Sequence, residues 1–578
     1  MIIKTQKRMK LFYLLGFVCI LGQSLHAQND KKQGAVTYKT LYNGTERTDM
    51  PALYLQYAAN TSKVWREAPD VEKLIPGYAH EANYIDYNNG QIISVVSFDD
   101  GDVFHALSGM SDLPEVEFKK ETREIKGYTC KLAKTVINSN HIEIWYTEAA
   151  GIKGTPQPRL GSVPGLVLSI VRNGNRETLA DEINISRKKA KSGLIPDALG
   201  DEVDRNALGD IKREKMIIST RVFDDAQICW GKEKMDVNAP VLDTLYHFAG
   251  GTLIVKKVKL PKTPDHYSLF AEIKQYSNGD AYDRTGSVFV IPTTKEQSFW
   301  DGLQNGVGTL PIYYDADSLK YQGVTVTENY DPVVELVRFF TTFGVNHFND
   351  RVKIKDLEWE DHSLYKQDVS ELKPYLEGEV LIGAFIGNYD RGGHKLTLDI
   401  KAYPGSFDWE EDSGKRYYMQ PLFNTCNVME MGGQRYGTMF KNDSLTLQFD
   451  VPEGVKNMKF RYITTGHGGW GGGDEFNPKQ NEIFMDGERV FTFTPWRTDC
   501  AAYRKHNPVS GNFWNGISSS DLSRSGWCPG MATNPEYFEL PDLKAGHHEL
   551  KVAIPLGKPA GTSFSAWSIS GILIGEYE

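Results

Sequence analysis

The chain has 578 residues, of which 40% are hydrophobic, 12% aromatic and 24% charged. That apolar share is enough for several packed cores and excludes general disorder. At roughly 150 residues per domain it suggests about three or four domains. The formal charge of −10 argues against a nucleic-acid binder, which would present a basic face.

Lys4, Lys7, Arg8 and Lys10 precede an apolar run from Leu11 to Leu21, followed by Ser24-Leu25-His26-Ala27. A charged start, a short apolar run and a small residue before a polar stretch form a secretory signal over 1–27. The run is too short to span a bilayer comfortably. Cys19 lacks the small residue just before it that a lipoprotein site requires. No later stretch is apolar enough to cross a membrane, so a soluble exported protein is expected, periplasmic or secreted. Cys130, Cys229, Cys426, Cys500 and Cys528 remain, an odd number that leaves at least one unpaired. With no Cys-x-x-Cys and no His-Glu-x-x-His, a metal site is not signalled.

Short alternating runs between turn residues predict antiparallel strands throughout. Tyr84–Tyr87 and Gln91–Val96 flank Asn88-Asn89-Gly90, a hairpin turn, and His141–Tyr146 is another strand. The region 28–225 therefore reads as one mostly antiparallel β domain. A charged stretch from Arg187 to about Lys215 is either a helix or a linker, and a boundary is expected near 225–240. Strands recur at Tyr267–Tyr276, Val333–Phe340, Val380–Ile386 and Lys395–Tyr403, then at Ser444–Val451, Met458–Ile463, Ile483–Phe493 and His548–Ile554. Helical periodicity is nearly absent from 240 onwards. The expectation is an all-β chain with two jelly-roll sandwiches at 240–405 and 406–578.

Three segments carry chemistry. The first runs from Gly466 through His467, Trp470 and Gly473 to Asp474-Glu475. Its glycines let backbone approach a ligand, but it has neither the Lys nor the Ser/Thr of a phosphate loop. Trp470 offers a face for a sugar ring and Glu475 an acid or base; a flexible hairpin loop is the plain alternative. The second holds Tyr282, Asp283 and Arg284. Asp283 beside Arg284 is ordinarily a weak surface ion pair, whereas in a cleft a carboxylate beside an aromatic ring has a tuned pKa. In the third, Cys500 and Cys528 stand 28 apart and suggest a disulfide that staples a loop carrying Arg524 and Trp527.

Together these segments resemble the peptide-N-glycosidase F family over about 240–578. The resemblance is most specific at Gly526-Trp527-Cys528-Pro529-Gly530-Met531-Ala532. It implies two side-by-side jelly rolls and hydrolysis of the amide between an asparagine side chain and the innermost N-acetylglucosamine of an N-glycan. It also implies that Asp283 and Glu475 are catalytic, that Tyr282, Arg284, Arg524 and Trp527 bind substrate, and that Cys500 pairs with Cys528. By position His394, His467, Trp470 and Asp474 join the substrate-binding set. A second family glutamate is missing, and Gly393 or His394 stands in its place, which opens the site around core fucose on the 3-position. Residues 28–220, through Gly127–Ala133, Ile144–Thr147 and Val163–Leu168, resemble the exported GLPGLI family and imply an accessory domain.

On this reading Asp283 is the acid/base group, Arg284 holds it ionised, and Glu475 positions the sugar or the attacking water. Arg524 stabilises charge on the carbonyl oxygen, while Trp527, Trp470 and Tyr282 stack on the chitobiose. The substrates are N-glycosylated proteins and glycopeptides, and no cofactor is called for. An endoglycosidase would also use two carboxylates, and a secreted glycan-binding protein would need only the aromatic faces.

Overall fold

A computed structural model describes residues 32–67, 75–232, 239–405, 416–426, 439–440, 444–468, 473–511, 514–556 and 565–577. The signal segment read at 1–27 lies outside them. The chain divides into two compact units between Ile217 and Ile218.

The first unit is one 13-stranded sheet. Neighbours in sequence are mostly neighbours in space, as short hairpin connections require. At Asn88-Asn89-Gly90 the Asp86 carboxylate accepts the Asn88 and Asn89 amides, Gly90 takes φ +64°, and strands His80–Asp86 and Gln91–Ser97 pair antiparallel. The charged stretch resolves into an irregular run of bends, the short strand Asp201–Glu202 and then a helix, Arg205–Met216. Asp204 caps it by accepting the Asn206 and Ala207 amides. Leu208 is buried among Val96, Phe98 and Ala106.

In the second unit, strand Ile218–Ile228 opens the first roll and pairs antiparallel with His394–Pro404. This pairing is why the division falls at Ile218, ahead of the 225–240 expected from composition. The four-stranded sheet continues through Tyr267–Ser277 to Ser363–Asp368. In Tyr267–Ser277 every second residue is buried, the period-2 pattern that made it legible as a strand. A six-stranded sheet holds Leu253–Leu260, Gly378–Ile386, Thr285–Ile291 and Val334–Phe340 among its members. The second roll has two four-stranded sheets; the one that matters for the site runs Tyr417–Asn424, Ala566–Tyr577, Val455–His467, Glu536–Glu539.

Val334–Phe340 joins the rolls. All seven of its residues are buried. Arg338 donates to the Ser568 carbonyl and the Thr465 hydroxyl of the second roll, and Arg461 donates back to the Glu335 and Leu336 carbonyls. Glu335 and Arg338 form an ion pair at 2.7 Å with no exposed side-chain surface, and Ser287 donates to Glu335 at 2.7 Å. A desolvated pair of this kind is tolerable because its lone pairs and protons are satisfied. Ala532–Thr533, from the second roll's sequence, pairs antiparallel with Phe339 and Arg338 and completes the first roll's sheet.

Candidate active site

Asp283 ends the loop that leads into strand Thr285–Ile291 of the first roll. Glu475 lies in the loop ahead of Asn481–Met485 of the second. Arg524 connects them. Its Nε donates to Glu475 Oε1 at 2.9 Å, and its Nη2 lies 3.6 Å from Asp283 Oδ2. The Arg524 side chain is 1% exposed, and those of Asp283 and Glu475 are 16% and 19% exposed.

Arg524 is held from every side. Nη1 donates to the Ser519 and Leu522 carbonyls at 2.9 and 3.1 Å. The guanidinium lies 4.9 Å from the ring centres of both Phe476 and Trp527, the cation–π distance that favours arginine. Its backbone bridges to Arg497, with N–H to carbonyl distances of 2.8 and 3.1 Å. Gly526 follows at φ +84°; a Cβ there would come within 2.6 Å of the Thr464 carbonyl, so only glycine makes this turn.

Electrostatics separate the two acids. Burial pushes the Asp283 carboxyl up to about 8; the Glu475 charge adds to the rise and the Arg524 cation opposes it. Burial also raises Glu475, opposed by the charge and the hydrogen bond of Arg524. Burial therefore holds both carboxyls above their ordinary values, and Arg524 opposes the rise at each, through a direct hydrogen bond only at Glu475.

Several expectations are corrected here. Arg284 does not hold Asp283 ionised. Its Nε and Nη2 donate to Asp280 at 2.7 and 3.3 Å. Asp280 is buried, yet His394 and Arg284 outweigh that burial and hold its carboxyl at about 2. Trp527 does not stack on a sugar. It is 3% exposed, lies against Phe340 at 4.1 Å and against Arg524 on its other contact, and donates its Nε1 proton to the Gly466 carbonyl. It is a wall for the arginine.

His394 is fully buried as the first residue of its strand, with Nδ1 3.0 Å from Gln275 Nε2 and Nε2 3.5 Å from Asp280. It supports Asp280 and cannot reach a substrate. His467 ends strand Val455–His467, so the glycine-rich run starts inside the sheet. Burial and the Arg338 charge hold its ring at about 3, hence neutral, 2.9 Å from the Thr465 hydroxyl. Asp474 is buried and accepts the Trp567 indole proton at 2.8 Å. It braces the loop that presents Glu475. Tyr282 is 61% exposed, with the Arg284 cation 5.0 Å from its ring, and remains free to face a ligand. Trp470 lies outside the described residues.

Sequence reasoning missed Asp280, Phe476 and the Ser519 and Leu522 carbonyls. Asp280 was legible as a second acid four residues before Arg284; the carbonyls, being backbone, left no signal.

Cys500 and Cys528 form a disulfide. It closes the loop that supplies those two carbonyls. Replacing both cysteines by serine should lower stability by roughly 3 to 4 kcal/mol on the chain-entropy model for a 28-residue separation. Denaturant unfolding checks this, and a midpoint equal to wild type would contradict it.

Three family models match the chain. Residues 219–402 match "Peptide-N-glycosidase F, N terminal", 435–574 match "Peptide-N-glycosidase F, C terminal", and 36–209 match "N-glycanase peptide, N-terminal domain". Among curated proteins, none matches. The solved structure of PNGF-II in space group P21 is 40% identical over 95% of this chain and 100% of its own, with a TM-score of 0.84. The same protein in space group C2 gives 40% identity, 95% and 98% coverage, and a TM-score of 0.78. PNGase F, a glycosylasparaginase from Flavobacterium meningosepticum, is 16% identical over 62% of this chain and 96% of its own, with a TM-score of 0.43. Three matched models in succession and 40% identity along a whole relative lead to one assignment: this chain belongs to the peptide-N-glycosidase F family.

Proposed function

We propose that this chain is an amidase that hydrolyses the bond between asparagine and the innermost N-acetylglucosamine of N-glycans, leaving aspartate and releasing the intact glycan as a glycosylamine. One observation carries the reading within its family: a single buried arginine lies against a carboxyl from each roll, 2.9 Å from Glu475 and 3.6 Å from Asp283. An N-glycosyl amide needs both a proton acceptor and a proton donor. Glu475, ionised against Arg524, takes a proton from water as the water oxygen attacks the amide carbon. Asp283 gives its proton to the departing nitrogen. Arg524 Nη2, whose N–H groups are not used by the loop carbonyls, faces the charge that develops on the carbonyl oxygen. Tyr282 supplies an exposed ring for the first sugars.

N-glycosylated proteins and glycopeptides are the substrates. The same reading has the chain exported by its N-terminal segment, which the Cys500–Cys528 disulfide supports. Among the described residues no helix is long and apolar enough to cross a membrane. Residues 32–217 serve as an accessory domain.

Digestion of a denatured N-glycoprotein in oxygen-18 water tests the reaction. Labelled aspartate at the former glycosylation site and a glycan with intact chitobiose are expected. Asparagine still bearing one N-acetylglucosamine would mean an endoglycosidase. Binding without cleavage would mean a lectin-like protein.

Core fucose on the 3-position belongs to the same proposal. At 393–394 there is a glycine and a buried histidine turned toward Asp280, so no carboxylate projects from that position. Horseradish peroxidase glycopeptides should therefore release their glycans at a rate within about tenfold of mammalian-type ones, a difference of about 1.4 kcal/mol in barrier. No release from them, with normal release from mammalian-type glycopeptides, would sink this part alone.

A further inference from the structure

Two large side chains of the first roll stand in water on a fixed backbone. Trp230 is 45% exposed and Tyr389 74% exposed. Their rings meet at 5.7 Å with planes 57° apart, forming a corner. Neither sits on a loose tip. The Trp230 amide donates to the Asp390 carbonyl at 2.8 Å, and its neighbours Cys229 and Gly231 donate to Gly251 and Gly250. Gly250 has φ +66°, and a Cβ there would come within 2.9 Å of the indole, so the indole lies against a turn that only glycine provides. Tyr389 is flanked by Asn388, whose amide donates to the Ile386 carbonyl at 2.9 Å, and by Asp390, whose Oδ1 accepts the Gly392 and Gly393 amides at 2.7 Å.

This loop is tied to the one that carries Asp283. The Asn278 amide donates to the Gly393 carbonyl at 2.9 Å, and the Asn278 side chain donates to the Gly392 carbonyl at 3.0 Å. The four-residue step from Gly393 back to Tyr389 spans at most about 14 Å. The Asp280 amide lies 3.4 Å from the Gly393 carbonyl, and the three residues from there to Asp283 add at most about 11 Å, so the backbone of the corner lies no more than about 30 Å from Asp283.

We propose that Trp230 and Tyr389 form a second saccharide subsite that takes the mannose-bearing part of the glycan whose innermost sugar is held at Asp283. The inference rests on the proposed deglycosylating activity. Aromatic faces suit the C–H surfaces of sugar rings, and rings fixed in advance lose little conformational freedom on binding. The occupant follows from constancy: polypeptide around glycosylation sites varies from one glycoprotein to the next, while the mannose core recurs. A rigid aromatic corner gains only from the recurring part.

The test uses one short peptide carrying either chitobiose alone or a full oligomannose glycan. Wild type is compared with the double variant Trp230→Ala, Tyr389→Ala, and with Trp230→Phe, which keeps a ring. The ratio of kcat/KM for oligomannose to that for chitobiose should fall about tenfold in the double variant, mostly through KM, and recover in part with Trp230→Phe. A ratio equal to wild type overturns the subsite. So does a loss that follows peptide length at constant glycan, which would assign the corner to polypeptide. If wild type cleaves neither substrate, the proposed activity fails first. Titration of free oligomannose then decides the subsite: binding about tenfold weaker in the double variant supports it, and equal binding overturns it.

Discussion

Asp283→Asn should lower kcat by about 10³-fold or more on any N-glycopeptide, with glycan binding retained. The amide keeps the shape of the carboxyl but cannot give a proton to the departing nitrogen. The same substitution should make the protein more stable at pH 8. The folded-state pKa of Asp283 is raised, from 3.8 to about 8, so the folded protein binds a proton that the unfolded chain has lost in that interval. Stability from this group is full below about pH 4 and is lost as pH rises through about 8. Asparagine does not titrate and escapes that loss. Melting temperatures of the two proteins should therefore converge near pH 4 and separate toward pH 8, with the variant higher. A variant that melts lower than wild type at pH 8 would show that Asp283 is not a strained acid. In wild type, kcat should decline above about pH 8, as the donor proton is lost.

Arg524→Met should be the most damaging single change in the site. It removes the hydrogen bond to Glu475, the charge facing Asp283 and the donors to the Ser519 and Leu522 carbonyls. Breaking a buried ion pair from one side costs about 3–5 kcal/mol, because the other charge is left unpaired. Loss of a donor at the developing oxyanion costs about 10²–10³ in kcat. Arg524→Lys should recover little of either. A lysine keeps the charge, but it cannot fill a planar slot between Phe476 and Trp527 while donating to Glu475, Ser519 and Leu522. Unfolding by denaturant and single-turnover kinetics read the two effects separately. Wild-type stability in Arg524→Met would contradict the bridging role.

The strands were legible where one face is buried and the other wet, as in Tyr267–Ser277, because period-2 alternation is a local property. Tyr417–Asn424 and Ile218–Ile228 were passed over; a proline at 421 and a double bulge at Arg221–Ala226 break their alternation. The two acids of the site were legible from their loops, and so was the disulfide. Their partners were not. Asp283 and Arg284 are adjacent, but the chain bends at Tyr282 and the Arg284 side chain turns back to Asp280 instead. Trp527 looked like a platform because tryptophan beside arginine suits either a surface or a slot; only packing against Phe340 decides. Val334–Phe340 was legible as a strand, but the neutralisation of Glu335 by Arg338 inside the core depends on residues more than a hundred positions away.

Strand Val334–Phe340 and the borrowed pair Ala532–Thr533 have a consequence for inheritance. A gene fragment encoding the first roll alone would lack an edge of its own sheet and leave Arg338 facing water that no native partner replaces. Recombination that exchanges one roll between relatives is then fruitful only when the exchanged half brings matching acceptors at 465 and 568 and a matching strand at 532–533. The two halves are bound to diverge as a pair, and Asp283 and Glu475, one from each half, travel together for the same reason.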